Sequence, residues 1–147
     1  MKNTTQPYIV SFGEVLWDIF PNGERAGGAP FNVAYNTFKM GTDIKMLSKV
    51  GNDELGEKLV NQIKNWGITT ELIQTDEKFS TGTVIANFDE NNEAHYDIVQ
   101  NVAWDFIEIL PEHEEIIKNA EAFVFGSLAA RNETSRNTLF QLLEWAK

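Results

Sequence analysis

Apolar and polar positions divide the chain into short extended runs and longer helical ones. Residues 8–12, YIVSF, form a β-prone run that ends at Gly13 and fits a buried first strand. VLWDIFP, 15–21, is a second extended piece, closed by the turn Pro21-Asn22-Gly23. From Pro30 the period lengthens. Phe31, Ala34 and Phe38 recur at i, i+3 and i+7, and Gly41 follows as a helix stop. Pro30 suits the first helical position, where its missing N–H costs nothing. IKMLSKV, 44–50, reads as a strand. Asn52 or Asp53 then caps a helix with Leu55, Leu59, Ile63 and Trp66 on one face, and Gly67 ends it. A further strand is expected at 71–75. TVIANFD (83–89) and AHYDIV (94–99) flank a turn at 90–93 and predict a hairpin.

The remainder predicts a short helix over 112–119 and a strand over 122–127, AFVFGS. That apolar run suits a strand covered on both faces. A last helix over 133–146 is expected to bury Leu139, Leu142, Leu143 and Ala146. Strands alternating with helices point to an α/β fold with a mainly parallel sheet. The hairpin-like excursions, at about 14–27 and 80–100, fall where loops over a ligand site would lie.

Composition narrows the function classes. With 147 residues and 42% hydrophobic content, the chain suits one domain with a real core. A formal net charge of −10 argues against a nucleic-acid or anionic-membrane surface, which needs clustered Lys and Arg. No apolar stretch approaches the ~20 residues of a membrane span. The start, MKNTTQPYIV, lacks a signal-peptide core, so a cytoplasmic protein is expected. There are no cysteines, and His95 and His113 have no neighbours at ligand spacing, so no metal site is expected.

Candidate chemistry centres on ERAGGAPFNVA. Glycines ahead of a helix let backbone approach a bound molecule, and the helix start offers free N–H groups. Asn32, in the first turn, either faces water or presents its amide to such a molecule. Asp18, inside an apolar extended run, either points to solvent or accepts hydrogen bonds from hydroxyls. Neither G-x-x-x-x-G-K-[ST] nor G-x-G-x-x-G occurs, so Gly27 and Gly28 belong to neither phosphate motif.

Three segments together carry a family likeness. The run Gly27-Gly28-Ala29-Pro30-Phe31-Asn32-Val33-Ala34, followed by Gly41 and Gly51, resembles the N-terminal signature of the ribokinase/PfkB family of sugar kinases. Gly13-Glu14-Val15-Leu16-Trp17-Asp18 is similar to that family's first-strand motif, and Val50-Gly51-Asn52-Asp53-Glu54-Leu55-Gly56 to its V-G-x-D-x-x-G segment. The fructokinase branch is the most similar. The resemblance implies a ribokinase-like α/β fold in which the two excursions form a β-strand lid. It also implies phosphoryl transfer from ATP, with Mg2+, to a sugar hydroxyl. Asp18, Gly27, Gly28 and Asn32 would be the sugar contacts. Tyr96 would stack on the sugar or close the lid, or else pack within its hairpin.

The family's second signature, a D-T-x-G-A-G-D segment with the anion hole and catalytic-base Asp, has no counterpart here. The expectation is therefore the N-terminal substrate-and-lid half, without a catalytic residue and inactive alone. Most ATP and Mg2+ contacts would belong to the absent half. AHYDIVQN carries no Arg, where many relatives have one, which leaves the sugar open. A nucleoside or 2-keto-3-deoxygluconate kinase, or a non-catalytic sugar-binding module, are the alternatives. The lid strands of many relatives also form a dimer contact, which leaves open a homodimer through the lid, and Trp17 and Phe20 either serve it or pack within the chain. Arg131 either reaches the site or lies on the surface, and Trp104 reads as a packing anchor.

Overall fold

A computed structural model describes residues 6–88, 90 and 93–147. The expected hairpin turn at 90–93 and the strand end at 89 thus lie partly outside the described residues. Twelve elements follow in the order β1 (Tyr8–Phe12), β2 (Leu16–Phe20), β3 (Gly23–Gly27), α1 (Ala29–Lys39), β4 (Asp43–Gly51), α2 (Glu54–Asn65), β5 (Ile73–Asp76), β6 (Gly82–Phe88), β7 (Ala94–Ile98), α3 (His113–Lys118), β8 (Ala122–Phe125) and α4 (Glu133–Trp145). Short 3₁₀ turns cover Ala103–Phe106 and Ser127–Arg131.

The main sheet has the order β5-β4-β1-β8, and every pairing in it is parallel. Alternation along its strands feeds two cores, one on each face. Val10, Phe12 and Leu47 point to one face, where they meet Ile117, Leu139 and Leu142 from α3 and α4. Ile44, Met46 and Val50 point to the other, against Phe31, Ala34, Leu59 and Ile63 from α1 and α2. A second sheet, β3-β2-β6-β7, is made of the two excursions. Each hairpin is antiparallel within itself, and β2 joins β6 in parallel.

Local signals account for the helix ends. Asp53, not Asn52, caps α2, accepting the Gly56 N–H at 2.8 Å. Gly41 and Gly67 take φ of +87° and +90° just past the helices they end. Pro30 lies one residue inside α1 because Gly28 is the cap.

GERAG, 23–27, inside the excursion expected at about 14–27, is a strand, β3. Two expectations need correction. The run at 122–127 was expected to be covered on both faces. Among the described residues, β8 instead pairs only with β1 and leaves Phe125 45% exposed. A short apolar run does not tell how many neighbours flank it. Ala146 caps α4 and is exposed, because the helix ends one residue earlier.

His113 is fully buried, and its Nδ1 accepts the Leu110 N–H at 3.2 Å, so the ring proton sits on Nε2, which has no partner. Burial pushes its pKa below the ordinary 6.5, with Glu112 opposing. The unfolded chain then binds the extra proton more readily. Stability from this site is complete above 6.5 and is lost as pH falls toward the folded value. Urea midpoints should drop between pH 7 and pH 5.5, and the drop should flatten in His113→Gln. An unchanged slope would show that the ring titrates normally.

Candidate functional site

β2 and β3 pair with Leu16 opposite Gly27 and Asp18 opposite Arg25. A Cβ on Gly27 would overlap Oδ2 of Asp18, so the missing side chain is the space the carboxylate occupies. Gly28 is needed for a different reason. Its φ is +109°, and a Cβ there would overlap the Glu14 carbonyl oxygen. Asp18 is half-buried, and burial raises its carboxyl pKa. From Gly28 the chain turns directly into α1, whose first helical bond runs from the Asn32 N–H to the Gly28 carbonyl at 2.8 Å.

Register and pleat define one face of the second sheet. Asp18 pairs with Val84, Leu16 with Gly82 and Ala86 with Tyr96. Partners across a sheet share a face, as do alternate residues along a strand. Asp18, Gly27 and Tyr96 therefore share a face, and Tyr96 is 59% exposed on it. Asn32 is exposed one helical turn into α1. It lines a cavity of about 350 Å3 with Arg25, Phe31 and Tyr35, which Asp18 does not line. Trp17 points to the opposite face, where it is buried and its indole N–H donates to the Leu55 carbonyl at 3.0 Å. As folded, it is packed against α2, not offered to a second copy.

Below the Asp18 face stands Trp104, fully buried, so close that a Cβ on Gly82 would overlap its Nε1. Arg131 stacks on this indole, 4.0 Å from the ring centroid. Its guanidinium is forked onto Asp105, with Nε at 2.7 Å from Oδ1 and Nη2 at 2.8 Å from Oδ2. Nη2 also donates to the Val99 carbonyl at 2.7 Å. Arg131 is thus neither a free surface cation nor a free ligand donor. It fastens the end of β7 to the 3₁₀ turn that carries Trp104.

The V-G-x-D-x-x-G segment also proves to be a clasp. Asp53 accepts the Thr81 N–H at 2.8 Å and the Thr81 hydroxyl at 2.6 Å, besides capping α2. Burial raises its pKa, but these donors outweigh burial and hold it below the usual carboxylate value. A Cβ on Gly51 would lie 2.6 Å from the Thr81 nitrogen, and one on Gly56 would overlap the Gly51 carbonyl oxygen. The motif binds the end of β4 to the residue before β6, and so sets where β6 meets β2.

One residue at the site was missed by sequence reasoning. Glu14 is 3% exposed; its Oε1 accepts the Ala29 N–H at 3.2 Å, and Oε2 has no partner. Burial pushes its pKa up; its own N–H, the Ala29 N–H and the Arg131 guanidinium oppose this without cancelling it. The available signal was a carboxylate directly before the apolar run Val15-Leu16-Trp17.

The pfkB family carbohydrate kinase model matches residues 7–147. The chain belongs to the pfkB family of carbohydrate kinases. This is the family that the glycine motifs resemble. A probable fructokinase-5 of Arabidopsis thaliana is 32% identical over the whole chain, which covers 49% of that relative. A putative sugar kinase of Pyrococcus horikoshii is 29% identical over 95% of the chain and 48% of the relative. The solved structure of an uncharacterized sugar kinase from Pyrococcus horikoshii in complex with ATP is similar at TM-score 0.81 and 28% identity, over 92% of this chain and 48% of that one. The fructokinase of Xylella fastidiosa, at TM-score 0.83 and 21% identity over 95% and 46%, shares the fold. Its parallel sheet, flanked by helices, gives this pfkB chain a ribokinase-like fold. The chain spans about half the length of these relatives. Among the described residues, no helix is long and apolar enough to cross a membrane.

Proposed function

We propose that this chain is the sugar-binding half of a fructokinase-like kinase that transfers a phosphoryl group from ATP to a sugar hydroxyl. The observation that carries this reading is the desolvated Asp18 carboxylate, seated over Gly27 beside the entrance to α1. A carboxylate so placed is a strong acceptor for hydroxyls and discriminates against analogues that lack one. Gly27 and Gly28 keep the approach open to the sugar, and Asn32 supplies an amide from the first helical turn. Tyr96 closes over the sugar from the same sheet face as Asp18. The β3-β2-β6-β7 sheet is the lid in this reading.

No catalytic base is assigned within the chain. No residue of the chain is assigned to Mg2+ in this reading. Transfer needs both substrates positioned and the moving charge stabilised. Those parts are assigned to the half of the relatives that this chain does not cover.

The test has two arms. With ATP, Mg2+ and fructose, the 147-residue chain should release ADP no faster than a sugar-free control; sustained turnover would overturn the division of labour. Fructose titrated into labelled protein should shift the amides of residues 27–33 and the Tyr96 ring. Shifts produced only by a nucleoside or a 2-keto-3-deoxy sugar acid would reassign the acceptor. Shifts elsewhere would remove the site.

A further inference from the structure

Among the described residues, three buried polar side-chain atoms lack a partner: Oε2 of Glu14, Nε1 of Trp104 and Nε2 of His113. Only the first belongs to a group that accepts strongly and carries charge. Its surroundings are also unusual, because glycines from three backbone segments stand close around Glu14 and Pro30. Gly13, at the end of β1, has a φ of +141°, and a Cβ there would lie 2.7 Å from Cγ of Pro30. Gly28, before α1, leaves room for the Glu14 backbone and side chain, since a Cβ would stand 3.2 Å from the Glu14 Cγ. Gly126, after β8, approaches from the third side, where a Cβ would lie 3.1 Å from Oε2 and 3.0 Å from Cδ of Pro30. Gly13 leaves room for Pro30, while Gly28 and Gly126 leave the space in which the Glu14 side chain reaches the Ala29 N–H, one of the free donors of the helix start.

We propose that Glu14 is a positioning residue, whose carboxyl holds the Gly27–Ala29 turn against the end of β1 and thereby fixes Asp18 relative to Asn32 for the substrate. The substrate part of this role rests on the sugar-binding reading above. If filling space were the whole task, an apolar side chain would serve better, because a buried carboxyl with an idle oxygen costs stability. The hydrogen bond to Ala29 is what an apolar residue cannot replace. The second oxygen faces Gly126 at the end of β8 without a hydrogen bond, because the Gly126 N–H donates to the Phe12 carbonyl at 3.0 Å.

The test compares Glu14→Gln, Glu14→Asp and Glu14→Ala in the full chain. Three readouts are followed: amide hydrogen exchange at Ala29 and Asn32, melting temperature, and fructose affinity. Glu14→Gln keeps an acceptor at the same reach, so exchange and affinity should stay within about twofold of wild type. Glu14→Asp is one methylene short. It should speed exchange at Ala29 and weaken fructose by about tenfold, out of proportion to any change in melting temperature. Lost fructose affinity in Glu14→Asp without a matching fall in melting temperature is what a purely structural role does not produce. Slow, wild-type exchange at Ala29 in both Asp and Ala variants would overturn the proposal, as would fast exchange with unchanged affinity. If Glu14→Ala fails to fold, the Gln and Asp pair decides. If wild type binds no fructose, the sugar reading fails by itself, and exchange at Ala29 still decides whether Glu14 holds the turn.

Discussion

Replacing Asp18 by alanine should weaken fructose binding about 10- to 100-fold while raising the melting temperature at neutral pH. The two effects share one cause. The Asp18 carboxylate is half-buried on the sheet face, over Gly27, and burial raises its pKa from 3.8. A folded pKa above the unfolded one means that ionisation opposes folding. The penalty is absent below 3.8, grows as pH rises toward the folded value, and is complete above it. Alanine removes that penalty together with the acceptor for the sugar. Asp18→Asn should show the same stabilisation but a smaller loss of affinity, since the amide still offers an oxygen. Calorimetric titration and thermal melts at pH 4 and pH 7.5 separate the effects: the stabilisation should fade at the lower pH. A variant that loses affinity and stability together would mean that Asp18 serves the fold instead.

Lys49→Met should cost about 3–5 kcal/mol, because it strands a buried carboxylate. Lys49 is 5% exposed; its Nζ lies 2.8 Å from Asp76 Oδ2 and 3.0 Å from Glu108 Oε2, and it donates to the Phe106 carbonyl at 3.0 Å. The other oxygen of Asp76 accepts the Lys78 and Phe79 N–H groups at 2.8 and 2.9 Å. Nearby, the rings of Phe79 and Phe106 stack with centroids 3.7 Å apart. Burial raises the Asp76 pKa, but Lys49 and the two amides outweigh it and hold the group below its ordinary value. The stabilisation is therefore present above 3.8 and is lost on acidification through the folded pKa. Urea unfolding at pH 7 gives the size of the loss. Adding Asp76→Asn should recover part of it, since the stranded charge is gone. A loss under about 1 kcal/mol would place the pair among ordinary surface bridges.

Much of the architecture was legible because its signals are local. Gly41 and Gly67 marked helix ends, Asp53 was one of two candidate caps, and period 3.6 placed Phe31, Ala34, Leu59 and Ile63 on buried faces. What escaped was non-local. The fork from Arg131 to Asp105 joins residues 26 apart. The Asp53–Thr81 clasp joins residues 28 apart, which is why V-G-x-D-x-x-G gave a family likeness before it gave a mechanism. At the site, Gly27 and Gly28 read in the sequence as making room for a bound molecule, whereas in the fold the space they leave is filled by the chain itself. That they make room for Asp18 and for Glu14, respectively, required the register of β2 against β3. Glu14 was passed over because a lone carboxylate at a strand end usually meets water.

The parallel union of β2 with β6 also has a consequence for how the molecule forms. Leu16 and Gly82 meet across some 66 residues of intervening chain, whereas each hairpin closes within a few residues. Contacts between distant parts of the chain are the slow ones, since the loop between them must first be ordered. Here that loop is β3, α1, β4, α2 and β5, so folding of this intervening segment shortens the distance the two ribbons must close. The surface that carries Asp18 and Tyr96 is therefore expected to be among the last parts to form, and a refolding experiment that follows Tyr96 against the amides of β1 and β4 checks the order.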